Sequence, residues 1–485
     1  MSSYDDRTEG VMLGTAAGDA LGASYEFRPP VHASEKVHMR RSPLWKAGEW
    51  TDDTAMAIAI AEVAARGADL RDEAAQDAIV RRWYEWSLES PDVGVQTRAV
   101  LSSAARGGGI TAARARAESK KLHEETGRAG NGSLMRTAPV ALAYLDDEKA
   151  MVQAARALSE LTHFDPLAAD ACVIWCSAIR HAVLTGQIDV RVGLGHLTAA
   201  RRRKWEGYLA EAEESRPADF DNNGFVVQAL QGAWSAISNT PEPRDDPKAG
   251  VFRADRLRLA LEAAVRGGRD ADTVAAIAGG LLGAAYGASA VPLEWRAMLS
   301  GWPRANARTL VTLASDIRRG GPADTTDLDY RYASASRMPR HPRDEKVVLG
   351  TVAVLRDLPA DITAVVSMCR LRDDDIRTDI PHIEVRLIDR VDADENPHLD
   401  YVLLQAAEAV ERLRTKGHTV LVHCVNAMSR TPTLGALYGM RHSGVCAQQA
   451  IDEVCAELEG ADPNPAFREA LHRLQDLRPE SGGRP

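Results

Sequence analysis

The chain has 485 residues, of which 45% are hydrophobic and 26% charged, enough for two or three domains with cores of their own. Its formal net charge of -10 argues against broad, charge-driven binding to nucleic acid or to an anionic membrane, so an anionic substrate needs locally placed cations. The six cysteines (172, 176, 369, 424, 446 and 455) contain no C-x-x-C pair, the first residues are acidic and polar, and no unbroken apolar run of membrane-spanning length follows. A cytoplasmic protein, neither exported nor membrane-spanning, is expected.

From the N-terminus, GVMLGTAAGDALG (10–22) reads as a helix whose recurrent Gly and Ala let another helix approach closely; packing explains the glycines but not Asp19 or the nearby Glu26. Thr51-Asp52-Asp53-Thr54 follows, directly before an Ala-rich apolar run. Its plainer reading is a helix cap, but a cap needs one side-chain oxygen, and this segment supplies several. A Gly-rich turn, Gly130-Asn131-Gly132-Ser133, runs through Leu134 and Met135 to Arg136, a backbone that offers N–H donors to phosphate or ribose oxygens. Next come Leu161-Thr162-His163-Phe164-Asp165-Pro166 at a helix start, and far downstream a second acidic start, Asp270-Ala271-Asp272-Thr273. Brought together, the two acidic segments make an oxygen-rich site for one or two hard cations such as Mg²⁺ or Mn²⁺. With helical spacing at 55–66, 168–184, 225–237 and 273–290, residues 8–300 read as one all-α domain.

All nine Trp precede position 303, and 320–345 is rich in Asp, Arg, Pro and Ser, so 301–344 is expected to be a linker and irregular connection. Beyond it, short β-branched runs at 347–355, 362–368, 382–387 and 419–423 alternate with helical stretches at 399–416, 432–442 and 447–458. That pattern predicts a small α/β domain over 345–475 around a mostly parallel sheet, then a disordered tail at 476–485. Inside it, Cys424 ends a buried strand, five residues follow, and Arg430 opens a helix with Thr431 and Pro432. A thiol beside a helix N-terminus, a ring of backbone N–H groups and a bidentate Arg are what phosphate ester hydrolysis by a thiolate needs.

Five motifs, GVMLGTAAGDALG, GEWTDDT, GNGSLMR, LTHFDP and GGRDADTVAAIAGGLLGAAYG, stand in the order shown by the ADP-ribosylglycohydrolase family, which residues 8–300 resemble. The resemblance implies an all-α fold with a two-metal centre holding Mg²⁺ or Mn²⁺. It implies Thr51, Asp52, Asp53, Asp270, Asp272 and Thr273 as ligands, and Gly130, Asn131, Gly132, Ser133 and His163 as contacts to ADP-ribose. Glu26 would orient water near the scissile bond, and Arg136 would help the loop bind the pyrophosphate. The implied substrate is an ADP-ribosylated protein or small acceptor.

The 345–475 half resembles a dual-specificity phosphatase, which implies Cys424 as nucleophile, Arg430 as phosphate and transition-state ligand, and Thr431 as an aid to thiolate departure. Asp389 or Asp392 would be the general acid. Ala427 stands where that family usually has Gly, and the loop holds no Lys or Arg besides Arg430. The expected whole is a metal-dependent ADP-ribose hydrolase fused to a Cys-based phosphatase of a phosphorylated substrate. The alternative is a single-activity enzyme in which the other half, the phosphatase-like one first, is a regulatory ADP-ribose- or phosphate-binding module.

Overall fold

The computed structural model describes residues 2–322, 336–372 and 375–477. Its first half is helical: α1 (Ser3–Gly22), α2 (Asp52–Ala64), α3 (Glu73–Glu89), α4 (Val95–Ala104), α5 (Ala112–Thr126), α6 (Ala138–Ala143), α7 (Glu148–Glu160), α8 (Pro166–Thr185), α9 (Ala199–Glu214), α10 (Val226–Ser238), α11 (Asp255–Arg266), α12 (Ala271–Tyr286), α13 (Leu293–Met298) and α14 (Ala307–Arg319). A two-residue strand pair, β1 (Ser300–Gly301) with β2 (Ala305–Asn306), separates the last two helices. Ser2 and Asp5 form a capping box that starts α1: Asp5 N donates to Ser2 Oγ (3.4 Å) and Ser2 N to the Asp5 carboxylate (2.7 Å). Buried along most of their length and rich in small residues, α1, α8 and α12 fill the centre. Although α8 meets the length and hydropathy of a spanning helix, 78% of that window is buried against its neighbours, which makes it a core helix.

The helical half does not stop at residue 300. Asn306 caps α14 (Thr309 N to Asn306 Oδ1, 3.1 Å), and Leu310, Ala314 and Ile317, on one face, are buried. The polar composition that begins at Gly320 blurs this boundary in the sequence, but the amphipathic spacing of 307–319 is what seats it on α1. Part of the expected linker, 323–335, lies outside the described residues, as does the expected tail beyond Leu477.

The second half is a five-stranded sheet of order β3 (Arg340–His341), β4 (Asp344–Thr351), β7 (Val420–Cys424), β5 (Ala364–Ser367) and β6 (His382–Glu384). All neighbours are parallel except β3 with β4. The central β7 is buried throughout, which is why it reads as a continuous apolar run. Around the sheet pack α15 (Leu399–Thr415), α16 (Arg430–Ser443), α17 (Ala447–Glu457) and α18 (Pro465–Arg473). The last lies outside the expected elements, and the expected strand at 347–355 ends at Thr351, where a 3₁₀ turn takes over.

Side chains from both halves meet. Ser3 Oγ donates to Asp394 (2.6 Å), Arg308 to Glu384 (2.7 Å) and His398 Nε2 to the Tyr286 carbonyl (2.8 Å), while Leu293 N donates to Gln405 Oε1 (2.9 Å). Arg386 Nε lies 3.1 Å from Asp6, whose side chain is buried.

Candidate metal centre and candidate phosphate loop

The acidic cluster exists because α1 and α12 run antiparallel with their backbones in contact. A Cβ at Gly10 would strike Gly283, one at Gly14 would strike Gly279, and one at Gly18 would strike Ala275. At the end of this seam Gly22 lies on Asp272, so Asp19 of α1 faces the first turn of α12.

Asp19 also holds the third element. Thr51 N and Thr51 Oγ1 donate to Asp19 Oδ1 (2.8 and 2.9 Å), and Thr54 N donates to Oδ2 (2.9 Å). A carboxylate of α1 thus caps α2 from outside, and neither Thr51 nor Asp270, the N-cap residues of α2 and α12, uses its side chain as a cap. The capping explanation of the two acidic starts fails, and their oxygens are left for other work. Thr51 Oγ1 lies 3.0 Å from Asp53 and 3.4 Å from Asp272.

The structure brings Asp52, Asp53, Asp270, Asp272 and Glu26 together with Asp19. Burial, then mutual repulsion, pushes the carboxyls of Asp53 and Asp272 well above the usual range, Asp52 to about 7 and Glu26 to about 9. Asp19 and Asp270 are raised as well, first by burial. Two triads have carboxylate oxygens within 4.8 Å of one another, Asp19–Asp53–Asp272 and Glu26–Asp270–Asp272. Asp53 Oδ1 and Asp272 Oδ1 are buried with no hydrogen-bond partner. Orphaned carboxylate oxygens in two triads that share Asp272 fit a pair of hard divalent cations, which would satisfy both atoms and cancel the repulsion.

Supporting residues fix this geometry. Asn131 Nδ2 donates to Asp270 Oδ2 (2.7 Å) and to the Asn223 carbonyl (3.0 Å), and Asp270 N donates to Asn223 Oδ1 (3.1 Å). Thr273 adds a side-chain hydrogen bond to Asp270. Phe27 and Arg269 both take left-handed backbone conformations (φ 57° and 60°), and Phe27 N donates to the Arg269 carbonyl (2.6 Å). With Arg269 N donating back to the Arg28 carbonyl (2.6 Å), these bonds offset strain of order 1 kcal/mol or more per residue and hold the segment after Glu26 against the one before Asp270. Asp19 and Asn223 lie outside the ligand set that the sequence implies; an Asp among small residues in a helix and the Asn-Asn-Gly turn are the only local signals of them.

The glycine loop packs on His163. A Cβ at Gly132 would lie 2.9 Å from the imidazole Cε1, and one at Gly130 would lie 3.4 Å from Nε2. Burial lowers this imidazole to about 3, so it is neutral. The N–H groups of Gly132 and Ser133 donate to no acceptor among the described residues, whereas the Ser133 hydroxyl is turned inward, accepting from Ser159 Oγ (2.9 Å).

Arg136 differs from the expectation of a pyrophosphate ligand. Its guanidinium is buried 3.7 Å over the Trp83 ring and donates to Thr162 Oγ1 (2.6 Å), which in turn bonds His163 Nδ1 (2.8 Å). Its position in the turn leading into α6 aims it at the core, where it buttresses His163. Cys172 and Cys176 are likewise buried.

In the second half Cys424 ends β7 beside Thr351 of β4, and α16 begins at Arg430. Arg430 Nη1 donates to the carbonyls of Met368 (2.9 Å) and Leu387 (3.2 Å), and its Nε, without a hydrogen bond, lies 3.9 Å from Asp389. Asp389 accepts from Asn464 (3.0 Å), whereas Asp392 caps a 3₁₀ turn by accepting from Asp394 N (3.0 Å). Of the two acid candidates, then, Asp389 is the one brought beside Arg430. The Thr431 hydroxyl donates to the Gly350 carbonyl (3.3 Å), not to the Cys424 sulfur. Ala427 is buried with φ 54°, a conformation that suits Gly. His423 contacts Ser367 Oγ (2.6 Å), which also contacts His382 (2.7 Å).

The family model for ADP-ribosylglycohydrolase matches residues 1–326, and that for the catalytic domain of dual specificity phosphatase matches residues 357–476. The chain is 30% identical over 297 residues to the ADP-ribosylarginine hydrolase Tri1 of Pseudomonas putida, covering 60% of this chain and 73% of that protein. It is 29% identical over 306 residues to the ADP-ribosyl-(dinitrogen reductase) glycohydrolase of Rhodospirillum rubrum, covering 61% of this chain and 91% of that one. Over 93 residues it is 30% identical to dual specificity protein phosphatase 1 of Arabidopsis thaliana, covering 19% of this chain and 43% of that protein. The chain therefore belongs to the ADP-ribosylglycohydrolase family and carries, fused behind that domain, a dual-specificity-phosphatase-like one.

Proposed function

We propose that the helical half is a Mg²⁺- or Mn²⁺-dependent hydrolase that removes ADP-ribose from a modified protein or small acceptor, and that the second half hydrolyses a phosphate monoester through Cys424. The observation that carries the first reading is the double triad with its two buried, orphaned carboxylate oxygens. Thr51, Asp52, Asp53, Asp270, Asp272 and Thr273, joined by Asp19, would hold two cations. Bound there, the cations would supply Lewis-acid polarisation of ribose hydroxyls and acidify a water.

The chain's own groups do the rest. The free N–H donors of Gly132 and Ser133 receive an anionic group of the ligand, the role that Arg136, held in the core, does not fill. Neutral His163 supports the loop from behind, and Asn131 orients Asp270. Glu26, at the rim of the second triad, orients water toward the anomeric carbon. The relatives named for ADP-ribosylarginine and for dinitrogen reductase make an arginine-linked, protein-borne ADP-ribose the first substrate to test.

At the second site the Cys424 thiolate attacks phosphorus, and the ester oxygen leaves with a proton from Asp389 or Asp392. Water then attacks the phosphocysteine, releasing phosphate and returning the thiolate. A free thiol of this kind suits the reducing cytoplasm. A second reading, phosphate binding without turnover, is favoured by Ala427 at a glycine-type conformation and by a Thr431 hydroxyl engaged away from the sulfur.

One experiment separates these readings: an ADP-ribosylated arginine protein and p-nitrophenyl phosphate are offered to wild type, Asp272→Ala and Cys424→Ser. Each substitution is expected to silence one activity and spare the other. Full ADP-ribose release by Asp272→Ala would remove the metal assignment, and phosphate release by Cys424→Ser the thiolate mechanism.

A further inference from the structure

A cavity of about 620 Å³ lies between the halves, within the usual range for small-ligand sites. Its floor is the phosphate loop, reached at Val425 and Arg430, together with the residues after β5 and β6, Cys369 and Leu387. Its opposite wall belongs to the helical half: Leu293 and Arg296 of α13, and Arg308, Val311 and Thr312 of α14. In open α/β sheets, ligands bind beyond the carboxyl ends of the parallel strands, which is where this cavity sits.

Its charge is opposite to that of the chain as a whole. Arg296, Arg308, Arg370, Arg377, Arg386 and Arg430 line it, against two carboxylates, Glu9 and Glu384. Ion pairs take up part of that charge: Arg308 with Glu384 (2.7 Å), Arg377 with Asp379 (2.6 Å), Arg386 with Asp6 (3.1 Å) and Glu9 (3.8 Å), and Arg430 more loosely with Asp389 (3.9 Å). The Nε atoms of Arg296, on the helical wall, and of Arg386 and Arg430, on the side of the second half, are buried without a hydrogen-bond partner. In a protein of net charge -10, a cavity whose lining holds more guanidinium groups than carboxylates selects an anion. Unsatisfied donors on opposite walls select one with polar groups at both ends.

We infer that this cavity is the substrate pocket of the Cys424 loop and takes a small organic phosphate monoester, of nucleotide or sugar-phosphate size, with Arg296 of the helical half as a substrate-binding residue. The inference rests on the reading of Cys424 and Arg430 as a phosphate-handling loop. A phosphorylated side chain of a protein would need its flanking chain to lie where α13 and α14 stand. A free small molecule fills the space without displacing them, so the first domain completes the second domain's specificity.

The test uses the full chain. Binding of adenosine 5′-monophosphate and of ribose 5-phosphate to Cys424→Ser is measured by calorimetry, with phosphate release by wild type from the same esters and from a phosphotyrosyl peptide. Added to Cys424→Ser, Arg296→Leu and Thr312→Trp are each expected to weaken binding of the favoured ester about tenfold, the loss of one charged hydrogen bond or of the space itself. In an active Cys424 background both are expected to raise KM more than they lower kcat. Thr312 is exposed on α14, so Thr312→Trp fills the cavity without burying new bulk in a core.

Peptide hydrolysis by wild type and Thr312→Trp alike, with neither ester bound, would overturn the pocket while leaving the Cys424 mechanism standing. Absence of phosphate release from every substrate, with neither ester nor peptide bound by Cys424→Ser, would overturn the phosphate-loop reading itself.

Discussion

Gly22→Ala tests whether the acidic cluster depends on backbone contact between α1 and α12. A Cβ at Gly22 would press on Asp272 Cα and lie 2.5 Å from Asp272 N and 2.9 Å from the Ala271 carbonyl carbon. Ordinary contact begins at 3.4 Å, so the helix ends must part by roughly 1.1 Å or the last turn of α1 must unwind. Overpacking of this kind costs ~1–3 kcal/mol, and because every opposing atom is backbone the upper end applies. Alanine's better helix propensity returns about 1 kcal/mol, leaving a net loss of about 2 kcal/mol and a fall in Tm of roughly 4 °C. Function should suffer more than stability, since a displacement of ~1 Å at a reacting centre can cost about a hundredfold in rate. Thermal melts in EDTA and in a Mg²⁺ titration, alongside ADP-ribose release, provide the readout. Gly207 of α9, with nothing within 4 Å of its would-be Cβ, is the control: Gly207→Ala should raise stability by about 0.5–1 kcal/mol. If Gly22→Ala melts at or above wild type and shows wild-type Mg²⁺ dependence, the seam does not set the position of Asp272.

Asp19→Asn keeps one acceptor atom and turns an NH₂ toward the N–H of Thr51 or Thr54, a buried mismatch of about 1–3 kcal/mol. It also removes one charge from the cluster, so the melt in EDTA should change little while the Mg²⁺ or Mn²⁺ needed for half-maximal activity rises; an unchanged cation requirement would exclude Asp19 from the site. Burial raises the Glu9 carboxyl from its usual 4.5 to about 7, so it is protonated in both states below about 4.5, and the cost of ionising it grows to roughly 3 kcal/mol as pH climbs past 7. Glu9→Gln should therefore raise Tm at pH 8 and leave it near wild type at pH 4.5; equal shifts at both pH values would contradict the burial argument. Ala427→Gly relieves a left-handed alanine worth about 1 kcal/mol and should raise both stability and hydrolysis of p-nitrophenyl phosphate, whereas a less active variant would show that the loop is built around the methyl group.

Much of this was legible wherever chemistry is concentrated in consecutive residues. The two acidic helix starts, the glycine loop and the run from Val420 to Pro432 each carry a local excess that a helix or strand alone does not require. What escaped depends on residues far apart. Asp19 caps a helix more than thirty positions away, a relation with no trace in either segment, and Asn223 reaches Asn131 and Asp270 across three separate loops. Arg136, in a Gly-rich turn, looks locally like a ligand group, while the Trp83 ring that holds it comes from α3. The change in composition at Gly320 masks the end of the helical half, which the amphipathic period of 307–319 marks instead. No local pattern signals the cavity, which comes into being only when α13 and α14 face the ends of β5 and β6.

Helix α1 meets the second half at Ser3, Asp6 and Glu9 and the acidic cluster at Asp19. At 1.5 Å per residue, its 20 residues make a rod of about 30 Å. The carbonyl end of its partner α12 receives His398, while the opposite end carries Asp272. The pair that anchors the second half at one end thus bears the carboxylates at the other, and its glycine seam stops either helix from sliding alone. Relative placement is then set by this spine, so detached halves supplied in trans should find each other with a concentration dependence set by the contact surface alone.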